Sequence, residues 1–361
     1  MGKGLDIEGL KQAVKFNCDI SDAQYWGNYS ICGLLLSLRG LFRHEKAVPP
    51  WEAISHAAVS SWIAEREARW QEISDDEFVR LSVGGREYGP FEIEGINSRL
   101  EEDRIIYGAG LGIYGKPSFF LAGLVSKSTV EGHEVSISGK EFVRDLAAYP
   151  AMLQNNAIFV RREALGSLLW DKLEEMRLTR STGALHYAFS QFGIAPEEGL
   201  SEALYRRVCG IAEGETEVYI RHEIGEAAEG RRLGSNWKEL LCGRISRRVE
   251  TYLRSVKDLL SDTTEGGMLR YIIEHEKKGA LGFYLSFMGG FRTVIFPELP
   301  ELFPDFVRSE DWARVEEARG IGYRRAEALA QRALGILRIH GEDAGEAIER
   351  ELMDGGLPEQ R

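Results

Sequence analysis

Gly108-Ala109-Gly110-Leu111-Gly112-Ile113-Tyr114-Gly115-Lys116-Pro117 is the stretch on which the fold class turns. Gly110, Gly112 and Gly115 spell the GxGxxG of a dinucleotide-binding turn, and Gly110 to Lys116 spells the GxxxxGK of a phosphate loop. Either would make the chain a parallel α/β protein. The residues that follow argue against both. A phosphate loop needs Ser or Thr after the lysine to hold magnesium, and a backbone N–H there; Pro117 supplies neither. A dinucleotide turn opens a helix, whereas residues 119–125 are strand-like, and Glu134 lies within a strand rather than at the end of one. The segment reads as glycine-rich β-turn structure.

The same punctuation runs through residues 81–139, where glycines at 84, 85, 89, 95, 108, 110, 112, 115, 123, 132 and 139 separate short β-rich runs. Gly84-Gly85 and Glu131-Gly132-His133 predict hairpin turns, and Glu134-Val135-Ser136-Ile137-Ser138 alternates as a half-buried strand does. On either side the pattern is helical. Asp19 to Asp22 offers caps for a helix over 25–45, Pro49-Pro50 breaks it, and residues 51–72 resume. Beyond Lys140, helices are predicted at 162–178, 181–192, 201–212, 215–229, 236–261, 265–278, 281–296 and 309–339, with one extra strand at 157–161. The expected fold is therefore α+β and predominantly helical. It has N-terminal helices (1–80), a small antiparallel β-rich insert (81–139), a larger helical C-terminal region (140–353) and a disordered tail (354–361).

A chain of 361 residues exceeds the size at which single cores usually stop growing, so more than one domain is expected. Its formal net charge of −12 argues against nucleic acid as the main partner, because phosphate binding needs a basic face. Cys18, Cys32, Cys209 and Cys242 form no CxxC pair, which removes zinc-ribbon and thioredoxin-type sites and fits a reducing cytoplasm. Residues 1–14 contain no apolar run of signal-peptide type. The most apolar stretches, 29–42 and 280–296, carry Arg39 and Arg292 and are too short to span a membrane, so both are expected to be core helices of a soluble protein.

No GxSxG is present, no histidine has an acidic residue three positions before it, and no two histidines stand four apart. His222 is the only histidine with a carboxylate at i+4. At 100° per residue, Glu215, Tyr219, His222 and Glu226 share one face of the predicted 215–229 helix. Such a face can orient the imidazole as a general base with Tyr219 as a donor, making His222, Glu226 and Tyr219 the candidate catalytic residues. It can equally hold a divalent metal through His222, Glu226 and Glu215. A solvated helix face is the plain alternative. Asp258 points away from the apolar arc of the next helix and is expected in solvent. Asp262, with Glu265 three residues on, reads as the N-cap of the following helix. Gly289-Gly290 implies close packing or a break in the aromatic segment 283–292, which reads as core, with a groove for an apolar ligand, Arg292 meeting an anionic group, as the alternative.

Three segments carry a resemblance: Cys18-Asp19-Ile20-Ser21-Asp22-Ala23 with Tyr25-Trp26; residues 221–227; and Leu281-Gly282-Phe283-Tyr284 through Phe296-Pro297-Glu298. Together they resemble an uncharacterised bacterial family, a domain of unknown function, over most of the chain. The resemblance implies a soluble bacterial protein and transfers no activity. Two classes of function follow. One is a cytoplasmic binding or assembly protein, homo-oligomeric or bound to a protein partner, with a small-molecule ligand also compatible. The other is a metal- or acid/base-dependent enzyme acting on a small molecule, centred on His222 and Glu226. Neither nucleic acid nor membrane is expected as a partner.

Overall fold

The computed structural model describes residues 5–179, 183–243 and 245–354. The chain is α+β and predominantly helical, with the strands confined to a central segment. It divides into two units, one formed by the chain up to Lys172 with Glu198–Thr216, the other by Leu173–Glu197 with the chain from Glu217 onward.

The first unit opens with α1 (Ile7–Tyr25), α2 (Ile31–Lys46) and α3 (His56–Ile73), capped by Asp6, Ser30 and Ser55 respectively. Asp19 and Asp22, expected as caps of the second helix, instead lie buried in the last turns of α1. A small hairpin of β1 (Leu81–Val83) and β2 (Arg86–Tyr88) turns at Gly84-Gly85, both at positive φ, followed by α4 (Ile93–Leu100). The main sheet contains β3 (Ile105–Leu111), β4 (Pro117–Val130), β5 (His133–Arg144), β6 (Ala151–Gln154) and β7 (Ala157–Arg161), in the order β3-β4-β5-β7-β6. Strands thus continue beyond residue 139, to Arg161. All pairings are antiparallel except β5 with β7, because the chain crosses to the sheet edge as β6 before its hairpin lays β7 beside β5.

The glycines of the opening stretch have a packing role here. Gly108, Gly110 and Gly112 are two residues apart and so share one side of the strand. A Cβ at each would overlap the Phe120 ring, the Gln154 amide and the Tyr149 hydroxyl respectively. Gln154 belongs to β6, at the opposite end of the strand order from β3, so these bare positions let the sheet curl upon itself. Register shifts between β4 and β5 strengthen that curl. Leu10, Val14 and Cys18 of α1 join Leu81, Tyr107, Phe119 and Leu121 in one core, so the N-terminal helices and the β region make a single unit. α5 (Arg162–Thr179) follows the sheet, and after α6 (Ala184–Ser190), which belongs to the second unit, α7 (Glu202–Gly214) returns to the first.

The second unit is helical: α8 (Thr216–Leu233), α9 (Ser235–Cys242), α10 (Arg247–Thr263), α11 (Met268–Glu274), α12 (Lys278–Phe287), α13 (Phe291–Ile295), α14 (Glu298–Ser309), α15 (Trp312–His340) and α16 (Ala344–Ile348), ending in a turn over Glu349–Asp354. The helix expected over 236–261 is two, with Ser246 capping the second. The helix expected over 281–296 breaks at Gly290, whose φ of 57° suits glycine. The α14 helix escapes the sequence reading because prolines at 297, 300 and 304 mark it as loop; Pro297 and Pro300 occupy its start, where no N–H is needed. Val249, Tyr252, Val256, Leu259 and Leu260 of α10 pack in one core with Ala326, Ala330, Ala333 and Ile336 of α15. Of the tail expected at 354–361, Asp354 belongs to the turn over Glu349–Asp354 and residues 355–361 lie outside the described residues.

α8 and α10 meet at Gly225, where an added Cβ would overlap the backbone carbonyl oxygen of Ser261. Gly267 meets the same oxygen. Helical propensity alone favours Gly225→Ala by about 1 kcal/mol. The overlap is with backbone, which no rotamer change relieves, so the expected net effect is a loss of about 1–3 kcal/mol. Urea unfolding reads this as a lower midpoint at unchanged slope; an unchanged or higher midpoint contradicts the close crossing.

Candidate functional site

The Gly225 crossing brings His222 and Glu226 of α8 against Lys257, Asp258 and Asp262 of α10. His222 Nδ1 stands 2.7 Å from Asp262 Oδ1 and donates its hydrogen to it. Its other nitrogen, Nε2, faces Glu226 Oε2 at 3.9 Å. Lys257 donates to Glu226 Oε1. Arg292, at the start of α13, places a guanidinium nitrogen 3.9 Å from Asp262 Oδ2 and donates to the Phe287 carbonyl. The Asp262 side chain is 2% exposed and that of His222 23%, so the inner carboxylate is sealed while the imidazole reaches the edge of the cluster.

Burial disfavours a charged imidazole, but the Asp262 carboxylate outweighs it and raises the His222 pKa to about 10. Glu223, buried on the same helix, is pushed up to about 8 by burial and then by the charge of Glu226. Burial raises Asp258 as well, against the pull of His222 and Arg292. Glu226 goes the other way: burial would lift it, but Lys257 and His222 hold it below the usual carboxylate range. At neutral pH the cluster therefore contains an imidazolium and a protonated Glu223, both proton donors. His222 is thus no general base at that pH.

A second feature lies in the first unit. A cleft of about 700 Å³ is bounded by α1, α2, the loop after α2, β5, α5 and α7. Its lining contains Lys11, Lys15, Arg39, Arg43, Lys140 and Arg144 against Glu45, Glu141, Glu163 and Asp171, with His44 in addition. Six cationic chains against four carboxylates is a local excess opposite in sign to the whole chain, at −12. Trp51, Trp170 and Tyr205 form an aromatic wall, with Tyr205 centred 5.4 Å from each of the two indoles.

Two models of one family of unknown function, DUF6866, match the chain: its N-terminal domain over residues 9–161 and its C-terminal domain over residues 166–355. The chain belongs to the DUF6866 family. No curated protein and no solved structure matches it. In this DUF6866 chain the cleft lies in the first unit and the His222 cluster in the second.

Of the residues singled out in sequence, His222 and Glu226 are brought together. Tyr219 packs against the hydrophobic core of the second unit. Glu215 is not part of the helix: α8 begins at Thr216, and Glu215 closes α7, its N–H donating to the Ile211 carbonyl. Asp262 is no N-cap but a buried residue in the last turn of α10, while Gly267 precedes α11. Asp258 is half-buried because α8 covers the face expected in solvent. Among the described residues, no three His, Cys, Asp or Glu side chains are grouped so as to hold a metal ion. The donor set explains why: Lys257 and Arg292 already supply the positive charge that a divalent ion would bring. The sequence signal that was available lay in two glycines, Gly225 and Gly267, both facing Ser261.

The titrations have a definite sign. His222 holds its proton to about pH 10, against 6.5 in the unfolded chain, so its stabilising contribution is complete below pH 6.5 and is lost as pH rises through 10. Glu223, at about 8 against 4.5, acts in the same direction at lower pH. The urea midpoint is therefore expected to fall between pH 7 and pH 10, less steeply in Asp262→Asn. NMR of the wild type is expected to find the His222 ring still protonated at pH 8; titration near 6.5 contradicts the Asp262 pairing.

Proposed function

We propose that this DUF6866 protein is a small-molecule-binding protein whose ligand occupies the cleft of the first unit. The cleft itself carries the reading: about 700 Å³ is within the range of small-molecule sites, and aromatic and charged side chains converge on it. A bacterial cytoplasmic setting belongs to the same reading, supported by free thiols at Cys18, Cys32 and Cys209. Among the described residues no helix is long and apolar enough to cross a membrane. The acidic net charge supports a small molecule over nucleic acid. An assembly contact through α2 is compatible with this, since Ile31, Leu35 and Leu36 stand exposed there.

Ser167, half-buried on α5, lines the cleft, and Ser167→Trp would fill it. A ligand at 100 times its Kd stabilises the folded chain by about 2.7 kcal/mol, which a thermal-shift screen of small molecules detects. The expected result is compounds that raise the Tm of the wild type but not of Ser167→Trp. A shift retained in full by that variant, or no shift with any compound, removes the reading.

The 2.7 Å hydrogen bond of His222 to buried Asp262 favours a second reading, acid/base catalysis on a small molecule. Asp262 fixes the ring and leaves Nε2–H as the donating atom, with His222 as general acid. Mass spectrometry of a small-molecule pool incubated with the protein tests it. A compound consumed by the wild type should be consumed about 100-fold more slowly by His222→Gln, which keeps a polar side chain of related reach. Equal consumption by both dismisses it.

A further inference from the structure

Arg144 is the most informative residue of the cleft. It is 7% exposed, and its guanidinium has five N–H donors in a fixed fork. One nitrogen donates to the Gly40 carbonyl at 2.9 Å. Nε has no hydrogen-bond partner among the described residues. The nearest carboxylate oxygen, Glu141 Oε2, lies 3.7 Å from Nη1, beyond hydrogen-bonding distance. Glu141 is engaged elsewhere, accepting from Arg161 at 2.6 Å through its other oxygen with both side chains fully buried. Glu141 is thus shared by two guanidinium groups, Glu163 is the other carboxylate that feels the charge of Arg144, and Arg144 keeps an Nε–H without an acceptor among the described residues at the buried floor of the cleft. Of the other acidic lining residues, Glu45 is held by Lys15 and Arg66, and Glu163 accepts from the Glu141 N–H beside His44. Lys140, exposed on β5, adds a further positive charge to the lining.

The opposite character is supplied by the aromatic wall. Trp51 follows Pro49-Pro50, whose fixed φ angles stiffen the loop that presents it. Its ring leans on Tyr205, which is braced edge-on by buried Trp170. Burial pushes the Tyr205 phenol up, so that wall stays neutral and does not repel an anion.

We propose that the cleft takes an anion bearing a planar aromatic ring, with the anionic group on Arg144 and Lys140 and the ring against Trp51. This rests on the reading of the cleft as a small-molecule site. Phosphorylated nucleosides and aromatic carboxylates share that chemistry. A guanidinium fork matches either anion, and an indole face stacks on either ring.

Calorimetric titration of the full chain with four probes tests the proposal: inorganic phosphate, adenosine, adenosine 5′-monophosphate and 1-naphthoate. At least one of the two aromatic anions should bind about tenfold or more tightly than both phosphate and adenosine; which one does identifies the source of the anion. Arg144→Gln should weaken it about tenfold and raised salt should weaken it further. Because Arg144 also holds the Gly40 carbonyl, Lys140→Gln at the exposed position is the control that leaves folding intact, expected to weaken binding severalfold. Trp51→Ala should weaken the aromatic anion but not phosphate. Adenosine binding as tightly as its monophosphate, unaffected by Arg144→Gln and Lys140→Gln, overturns the proposal. So does a screen in which only neutral or cationic compounds bind and Ser167→Trp abolishes their binding; in that case the cleft reading survives and the ligand class does not. If no compound of any charge binds in the cleft, both fail.

Discussion

A charge taken out of water must be matched where it is buried, and this constraint organises both units. Lys116, the lysine of the glycine-rich stretch, is 3% exposed and lies 3.0 Å from Asp22 and 3.1 Å from Asp145. Burial opposes its charge, but the two carboxylates outweigh it and hold its pKa above the ordinary lysine value. Removing one member of such a group leaves an uncompensated ion, at a cost of about 3–5 kcal/mol. The consequence is positional: Asp22 comes from α1, Lys116 opens onto β4 and Asp145 follows β5, so one cluster ties the first helix to two points of the sheet. Arg161 and Glu141 do the same for β7 and β5, with the guanidinium also 4.5 Å from the centre of the Phe120 ring. In the second unit Asp262 plays this part, joining α10 to α8 through His222 and to α13 through Arg292.

The same constraint separates what is structural from what is available. Lys116 has two carboxylates and the Ser21 hydroxyl around its ammonium, so its hydrogen-bonding capacity is filled and it has no role left for a ligand. That explains why a lysine in a phosphate-loop-like spelling does not make a phosphate site. Arg144 differs only in how completely it is matched, because its carboxylate is shared with Arg161. Incomplete matching at the wall of a cavity, rather than the presence of a cation, distinguishes a ligand site from a buried brace.

What was legible in the sequence was local. The turns at Gly84-Gly85 and Glu131-Gly132 need only the chemistry of two residues with positive φ, and both lie where that chemistry puts them. The alternation of helices and β-rich runs gave the fold class for the same reason. What was not legible depends on partners distant in sequence. Gly108, Gly110 and Gly112 look like a nucleotide loop until Phe120, Gln154 and Tyr149 are seen to fill the space beside them. Asp262 has the local sequence of a cap, and only the close crossing at Gly225 makes it the partner of His222, forty residues away in the chain, a pairing that no periodicity reveals. The cleft combines residues from four helices and a strand, so no window of sequence contains it.

The His222 cluster shows why identity of residues is a poor guide to their chemistry. A histidine beside a carboxylate suggests a base, yet the closer the carboxylate, the more firmly the imidazole keeps its proton. At a pKa of about 10 it transfers that proton reluctantly near neutrality. Glu223 lies in the opposite situation: burial and the neighbouring Glu226 bring a carboxyl group to about 8. Within this cluster, therefore, Glu223 is a group whose protonation changes near neutral pH, and it lies outside the helix face shared by Tyr219, His222 and Glu226. His222 is charged there at rest, and the Asp262 carboxylate is the reason it holds its proton until an acceptor meets Nε2.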